Sequence, residues 1–193
     1  MTTNRLEAFS DGVLAIIITI MVLELKVPET SNFIGLKILL PKLISYVLSF
    51  LYVGIYWNNH HHLFQTIEKV NGKVLWANLF LLFWLSLLPF ATGWMGENHF
   101  DSQPVMLYGL ILMMSAFAFL LLEKTSILLE GKSSKISIAL SSKRKEIISV
   151  IIYMAGIILA SFVPKISIGL YYVVALLWVI PDQRFEKVLN ENT

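Results

Sequence analysis

Six apolar stretches run through this chain, roughly residues 6–27, 38–60, 74–95, 105–123, 147–163 and 166–181, each bounded by charge, proline or glycine. A helix that spans a bilayer needs about 20 such residues at a rise of about 1.5 Å each. Most of the stretches meet that length, and the last two are short. None alternates polar and apolar residues in ten-residue units, which argues against an outer-membrane barrel. Hydrocarbon offers backbone groups no water, so each stretch is expected to be helical. Composition agrees: 56% of the 193 residues are hydrophobic and only 15% charged, with a mean hydropathy of +0.72. Soluble domains carry about 25% charged residues. A chain this short could not bury so much apolar surface within itself, so the surplus faces lipid. The expectation is one all-α membrane domain over residues 1–193 with six transmembrane helices. Cytosolic enzymes, disordered chains and conventional nucleic-acid binders are excluded.

Orientation follows from lysine and arginine, which collect on the cytoplasmic side. With the N-terminus inside, the inside segments hold Arg5, Lys69, Lys73, Lys124, Lys132, Lys135, Lys143, Arg144, Lys145, Arg184 and Lys187, which is 11 of the 15 basic residues. Both termini are therefore expected in the cytoplasm, in a multi-pass protein of the cell membrane. Lys26-Val27-Pro28-Glu29 provides no small-residue cleavage site, so the first stretch reads as a retained helix. The basic loop 124–146 reads as a solvated linker, with an anionic-lipid contact as the other reading. Pro164-Lys165 predicts a tight hairpin between the last two helices. There is no cysteine, which excludes disulfides, thiolate metal sites and cysteine nucleophiles.

The first stretch carries an acid, Asp11, where an ionisable group costs several kcal/mol unless paired or watered. At about 100° per residue, Gly12, Thr19, Ile20 and Leu23 lie within about 60° of Ile16, while Asp11 lies roughly 140° away. One face is thus a stripe of small and branched residues with a single hydroxyl. Asp11 lies on another face and must find a donor on another helix. By periodicity alone, the stripe could equally pack against a neighbouring helix.

Arg5-x-x-x-Phe9-Ser10-Asp11, placed at the start of the first membrane helix, resembles the signature of the transmembrane protein 175 potassium channels. A second segment, Tyr56-Trp57-Asn58-Asn59-His60-His61, is similar to the Trp-x-x-His-His segment of the bacterial relatives. The resemblance implies a homotetramer in the membrane lipid, with first helices lining a central pore for potassium and other monovalent cations. Potassium is then the permeant ligand, with no cofactor and no nucleic-acid partner. The constriction would be hydrophobic rings at Ile16, Ile20 and Leu23, with the Thr19 hydroxyl setting selectivity. The resemblance further implies a structural polar network of Arg5, Phe9, Ser10, Asp11, Trp57 and His60, with Asn78 as a further candidate partner. No Thr-Val-Gly-Tyr-Gly run is present, so a carbonyl filter of that kind is absent. Glu24, beside the helix's negative C-terminal end, would favour cations at the outer mouth.

His60, His61 and His62 point about 100° apart, so at most one of them faces a given partner. For His61 and His62 the reading is interfacial contact with water or headgroups. Haem needs facing ligands, but His99 is expected on the opposite side of the membrane. Zinc needs three or four converging ligands, and the sequence has no such cluster. The membrane serines lack a glycine elbow or a paired histidine, so no catalytic constellation is expected. The competing class is a proton-coupled secondary transporter relaying protons through Asp11 and His60. Against it stand the short chain, the missing three-plus-three repeat, and Pro89 as the one interior proline, with no midplane helix break expected.

Overall fold

A computed structural model describes residues 2–28, 32–131 and 144–179. Among them lie seven helices: α1 (Thr3–Leu23), α2 (Phe33–Gln65), α3 (Gly72–Ser86), α4 (Leu88–Glu97), α5 (Ser102–Glu130), α6 (Arg144–Ala160) and α7 (Pro164–Val179). Six apolar stretches become seven helices because the third is broken at Leu87. Pro89 has no N–H to return to the Leu85 carbonyl, and the Leu87 N–H closes a tighter turn on the Trp84 carbonyl at 3.2 Å. This corrects the expectation of no break in that stretch. Nor is Pro89 alone, since Pro41 sits inside α2.

Helix ends differ from the hydropathy boundaries because capping sets them. The Asn32 side chain accepts from Ile34 N and Gly35 N, so α2 begins five residues earlier than its apolar run. Asn71 likewise accepts from Val74 N and starts α3. The helix α1 stops at Leu23, and beyond it Pro28 disfavours a helical Val27. The basic loop is shorter than expected: Lys124 lies on α5, while Arg144 and Lys145 open α6. The middle of that loop, with Lys132, Lys135 and Lys143, lies outside the described residues, as do the end of the last stretch and Arg184 and Lys187. Helices α1, α2, α3–α4 and α5 are long and apolar enough to cross a membrane.

The elements pack as a bundle with α1 at one side, against α2, α3 and α4, and the α6–α7 hairpin at the other, against α5 and α2. Between them a buried set of hydroxyls ties the helices together. Tyr52 O–H donates to the Tyr171 carbonyl at 2.7 Å, and Tyr153 O–H donates to Tyr52 Oη at 3.3 Å. Ser49 Oγ lies 2.6 Å from Thr92 Oγ1 and 2.9 Å from Tyr108 Oη. Each polar group is thereby satisfied inside protein, as hydrocarbon requires. The Tyr171 ring is seated on two glycines, Gly109 of α5 and Gly156 of α6, where a β-carbon would overlap it. Gly109→Ala or Gly156→Ala is therefore expected to lower stability by about 1–3 kcal/mol, the usual cost of overpacking. Gly54→Ala, inside α2 with nothing within 4 Å of the new carbon, should not lower stability and gains helix propensity. Thermal melting of the detergent-purified protein checks the contrast.

Candidate functional site

Helix α1 has two unlike faces. Leu6, Ser10, Leu14, Ile17 and Met21 are buried against the rest of the protomer, the spacing of one helical stripe. The opposite stripe is open: Ile16 is 60% exposed, Ile20 44% and Leu23 73%, with Gly12 and Thr19 exposed among them. All the residues predicted to form the constriction thus share one uncovered face. The Thr19 hydroxyl donates to the Ala15 carbonyl at 2.9 Å, so its proton is spent within the helix. What remains on that face is an oxygen with a free lone pair, able to accept or to ligate a cation.

The buried face is held by a directed chain of hydrogen bonds. Ser10 O–H donates to the Leu6 carbonyl at 2.9 Å and accepts from Asn78 Nδ2 at 2.9 Å. Asn78 Oδ1 then accepts from His60 Nε2 at 2.8 Å, which fixes the proton of the neutral ring on Nε2. Ser10, Asn78 and His60 are all buried, and the His60 ring stacks on Phe64 at 4.4 Å. Asn78 on α3 is therefore the joint between α1 and α2.

A second pair of links lies beside it. Trp57 Nε1 donates to Asp11 Oδ1 at 3.0 Å. One turn along each helix, His61 Nδ1 meets Glu7 Oε1 at 2.6 Å, and Gln65 Nε2 reaches His61 Nε2 at 2.8 Å. The rings of Trp57 and His61 stack at 6.3 Å, with 16° between their planes. Glu7 and Asp11 are four apart on α1, Trp57 and His61 four apart on α2, and the antiparallel helices place them in register.

Of the six residues expected in one network, the structure brings Ser10 and His60 together through Asn78, and joins Asp11 to Trp57. Arg5 and Phe9 are not in it. Both are exposed, Phe9 at 50%, and both fall on the same open stripe as Ile16, since eleven and seven residues are close to whole numbers of turns. Among the described residues the Arg5 side chain makes no hydrogen bond or ion pair within its protomer. Sequence reasoning missed Glu7 and His61. The available signal was the i, i+4 spacing of two acids facing a tryptophan and a histidine at the same spacing. His62 turns its ring beside His61, with centroids 5.9 Å apart. Glu24 lies at the far end of α1, its Oε2 within 3.8 Å of where a Gly93 β-carbon would stand. No group of three or more His, Asp or Glu suited to a metal occurs among the described residues.

If Asn78 is the joint, Asn78→Leu orphans the His60 N–H and deprives Ser10 of its donor, at about 1–3 kcal/mol for each group left buried and unpaired. Ser115→Ala removes a buried hydroxyl that bonds only its own helix's Ile111 carbonyl, and should cost far less. Melting temperatures of the two variants check this.

Comparison with known proteins follows the same lines. Residues 5–89 match the family model described as "Endosomal/lysosomal potassium channel TMEM175". The chain is 62% identical over 192 residues, covering 100% of both sequences, to a protein named a potassium channel in a Chryseobacterium species. It is 32% identical to the human "Endosomal/lysosomal proton channel TMEM175", across 54% of this chain and 23% of that protein. The crystal structure of a "lysosomal potassium-selective channel TMEM175 homolog" from Chamaesiphon minutus superposes with a TM-score of 0.79 at 26% identity, covering 93% of this chain and 97% of that one. With a multi-pass helical fold, an end-to-end relative and a family model matched over residues 5–89, the chain belongs to the TMEM175 family of membrane channels.

Proposed function

We propose that this protein is a potassium-permeable cation channel, a homotetramer in which four α1 helices surround the conduction path and both termini are cytoplasmic. The observation that carries this is the open stripe of α1: one face of the helix is sealed against its own protomer, and the other presents Ile16, Thr19, Ile20 and Leu23 outward. A full-length relative named as a potassium channel supports it. Four Ile16 side chains around an axis leave an opening that apolar walls keep dry, so an ion there loses hydration without replacement. That ring is the main barrier. Four Thr19 oxygens one turn away supply ligands to the partly dehydrated cation. Arg5, unpaired among the described residues of its own protomer, finds its partner across a subunit boundary at the inner end. The carrier alternative gains nothing here, because Asp11 bonds Trp57 and His60 bonds Asn78, with no hydrogen bond between Asp11 and His60 among the described residues.

Ile16→Asn tests the constriction. If Ile16 faces the pore, four amides admit water, and liposome flux rises with poorer discrimination between cations. A silent, aggregated protein would instead place Ile16 in a packed interface, where each unsatisfied amide costs roughly 1–3 kcal/mol. Thr19→Val tests selectivity. Loss of about 1 kcal/mol of ligation lowers the potassium-to-sodium permeability ratio roughly fivefold while conduction survives. Reversal potentials in mixed salts read the ratio, and an unchanged value removes the hydroxyls from the filter.

A further inference from the structure

On the side of the bundle away from α1, a cavity of about 50 Å³ lies between α2, α5, α6 and α7, lined by Tyr52, Tyr56, Phe119, Tyr153, Trp178 and Glu146 among others. Five of those six side chains are aromatic. Their polar handles are largely committed elsewhere: Tyr52 O–H to the Tyr171 carbonyl, Tyr153 O–H to Tyr52, and Trp178 Nε1–H to Ser149 Oγ at 2.8 Å. Phe119 has none. Tyr56 apart, these rings bring chiefly aromatic carbon to the walls, and the electron-rich face of an aromatic ring attracts a cation with diffuse charge. Glu146, buried on the first turn of α6, adds a carboxylate to the wall. Trp178 already takes part in one such contact, with Lys145 Nζ 5.5 Å from its ring centroid. Lys145 itself does not line the cavity.

We infer that this cavity is a binding site for a small organic ammonium ion of the trimethylammonium type. Size agrees: a water needs at least about 10–15 Å³ on the same measure, so the space takes roughly three to five heavy atoms. Chemistry agrees too. A bare potassium ion asks for a shell of oxygens that walls made mostly of carbon do not provide, whereas methyl groups on nitrogen fit carbon walls and still carry the charge to the rings. A groove of about 580 Å³ between α5 and α6 borders the cavity, sharing Leu120 and Glu146 with it. This site lies apart from the open stripe of α1, so it stands or falls independently of the conduction reading.

The test uses the full chain purified in a maltoside detergent, titrated with choline chloride against sodium chloride at equal ionic strength. Choline should raise the melting temperature saturably. Its neutral carbon isostere, with tert-butyl in place of trimethylammonium, should bind about tenfold more weakly or worse. Phe119→Leu and Trp178→Leu should each weaken choline several-fold. A short-chain phosphatidylcholine below its micellar concentration separates the sources. Activity equal to choline assigns a lipid headgroup, inactivity assigns a free ion, and either upholds the site. Equal binding of the isostere, choline affinity unchanged in both variants, or no saturable effect overturns it. The isostere comparison is made on the unmodified protein, so a misfolded variant does not blunt the result.

Discussion

A helix that presents one face to the axis of an assembly can be gripped by its own protomer only on the other, and in this molecule that grip is polar as well as apolar. Leu6, Leu14, Ile17 and Met21 supply contact with the bundle, but contact in an apolar medium is weakly directional. Direction comes from Ser10, whose hydroxyl is bound from one side by Asn78 and from the other by its own helix. Because each donor in the line from His60 to the Leu6 carbonyl has one acceptor, rotation of α1 about its axis would break bonds that hydrocarbon cannot replace. The angular position of Ile16 is thereby set from the buried side.

The far half of the protomer solves a different problem. Tyr52, Tyr108, Tyr153 and Tyr171 are large, buried and hydroxylated, and they satisfy one another, the Ser49 hydroxyl and nearby carbonyls across four helices. Glycines at 109 and 156 let the rings approach the helix backbones. This block forms the frame against which α1 is placed.

Much of this was readable in the residues. Period alone separated the Ile16 stripe from Asp11, and the number of apolar runs matched the number of helices among the described residues once α3 and α4 are taken together. Partners were less legible. Asp11 demanded a donor, but nothing in a linear sequence says that Trp57 and not Arg5 provides it, since register between helices is a tertiary property. Arg5 and Phe9 were drawn toward the network by motif membership, yet helical phase alone puts them on the stripe with Ile16. The break at Leu87 was hidden because Pro89 reads equally well as a tolerated kink, and helix ends were misjudged where Asn32 and Asn71 extend a helix beyond its apolar run.

The polar attachments of α1 are unevenly spread. Glu7, Ser10 and Asp11 all lie in its first half, whereas beyond Leu14 the inward contacts are apolar, apart from a weak approach of Thr92 Oγ1 to Met21 Sδ at 4.0 Å. Mechanically the helix resembles a cantilever, its directed bonds gathered in its first half and apolar packing alone toward its tip. A turn of α1 about its own axis therefore breaks directed bonds near Phe9 and only apolar contacts near Leu23, and Ile16 sits just past the last of those bonds.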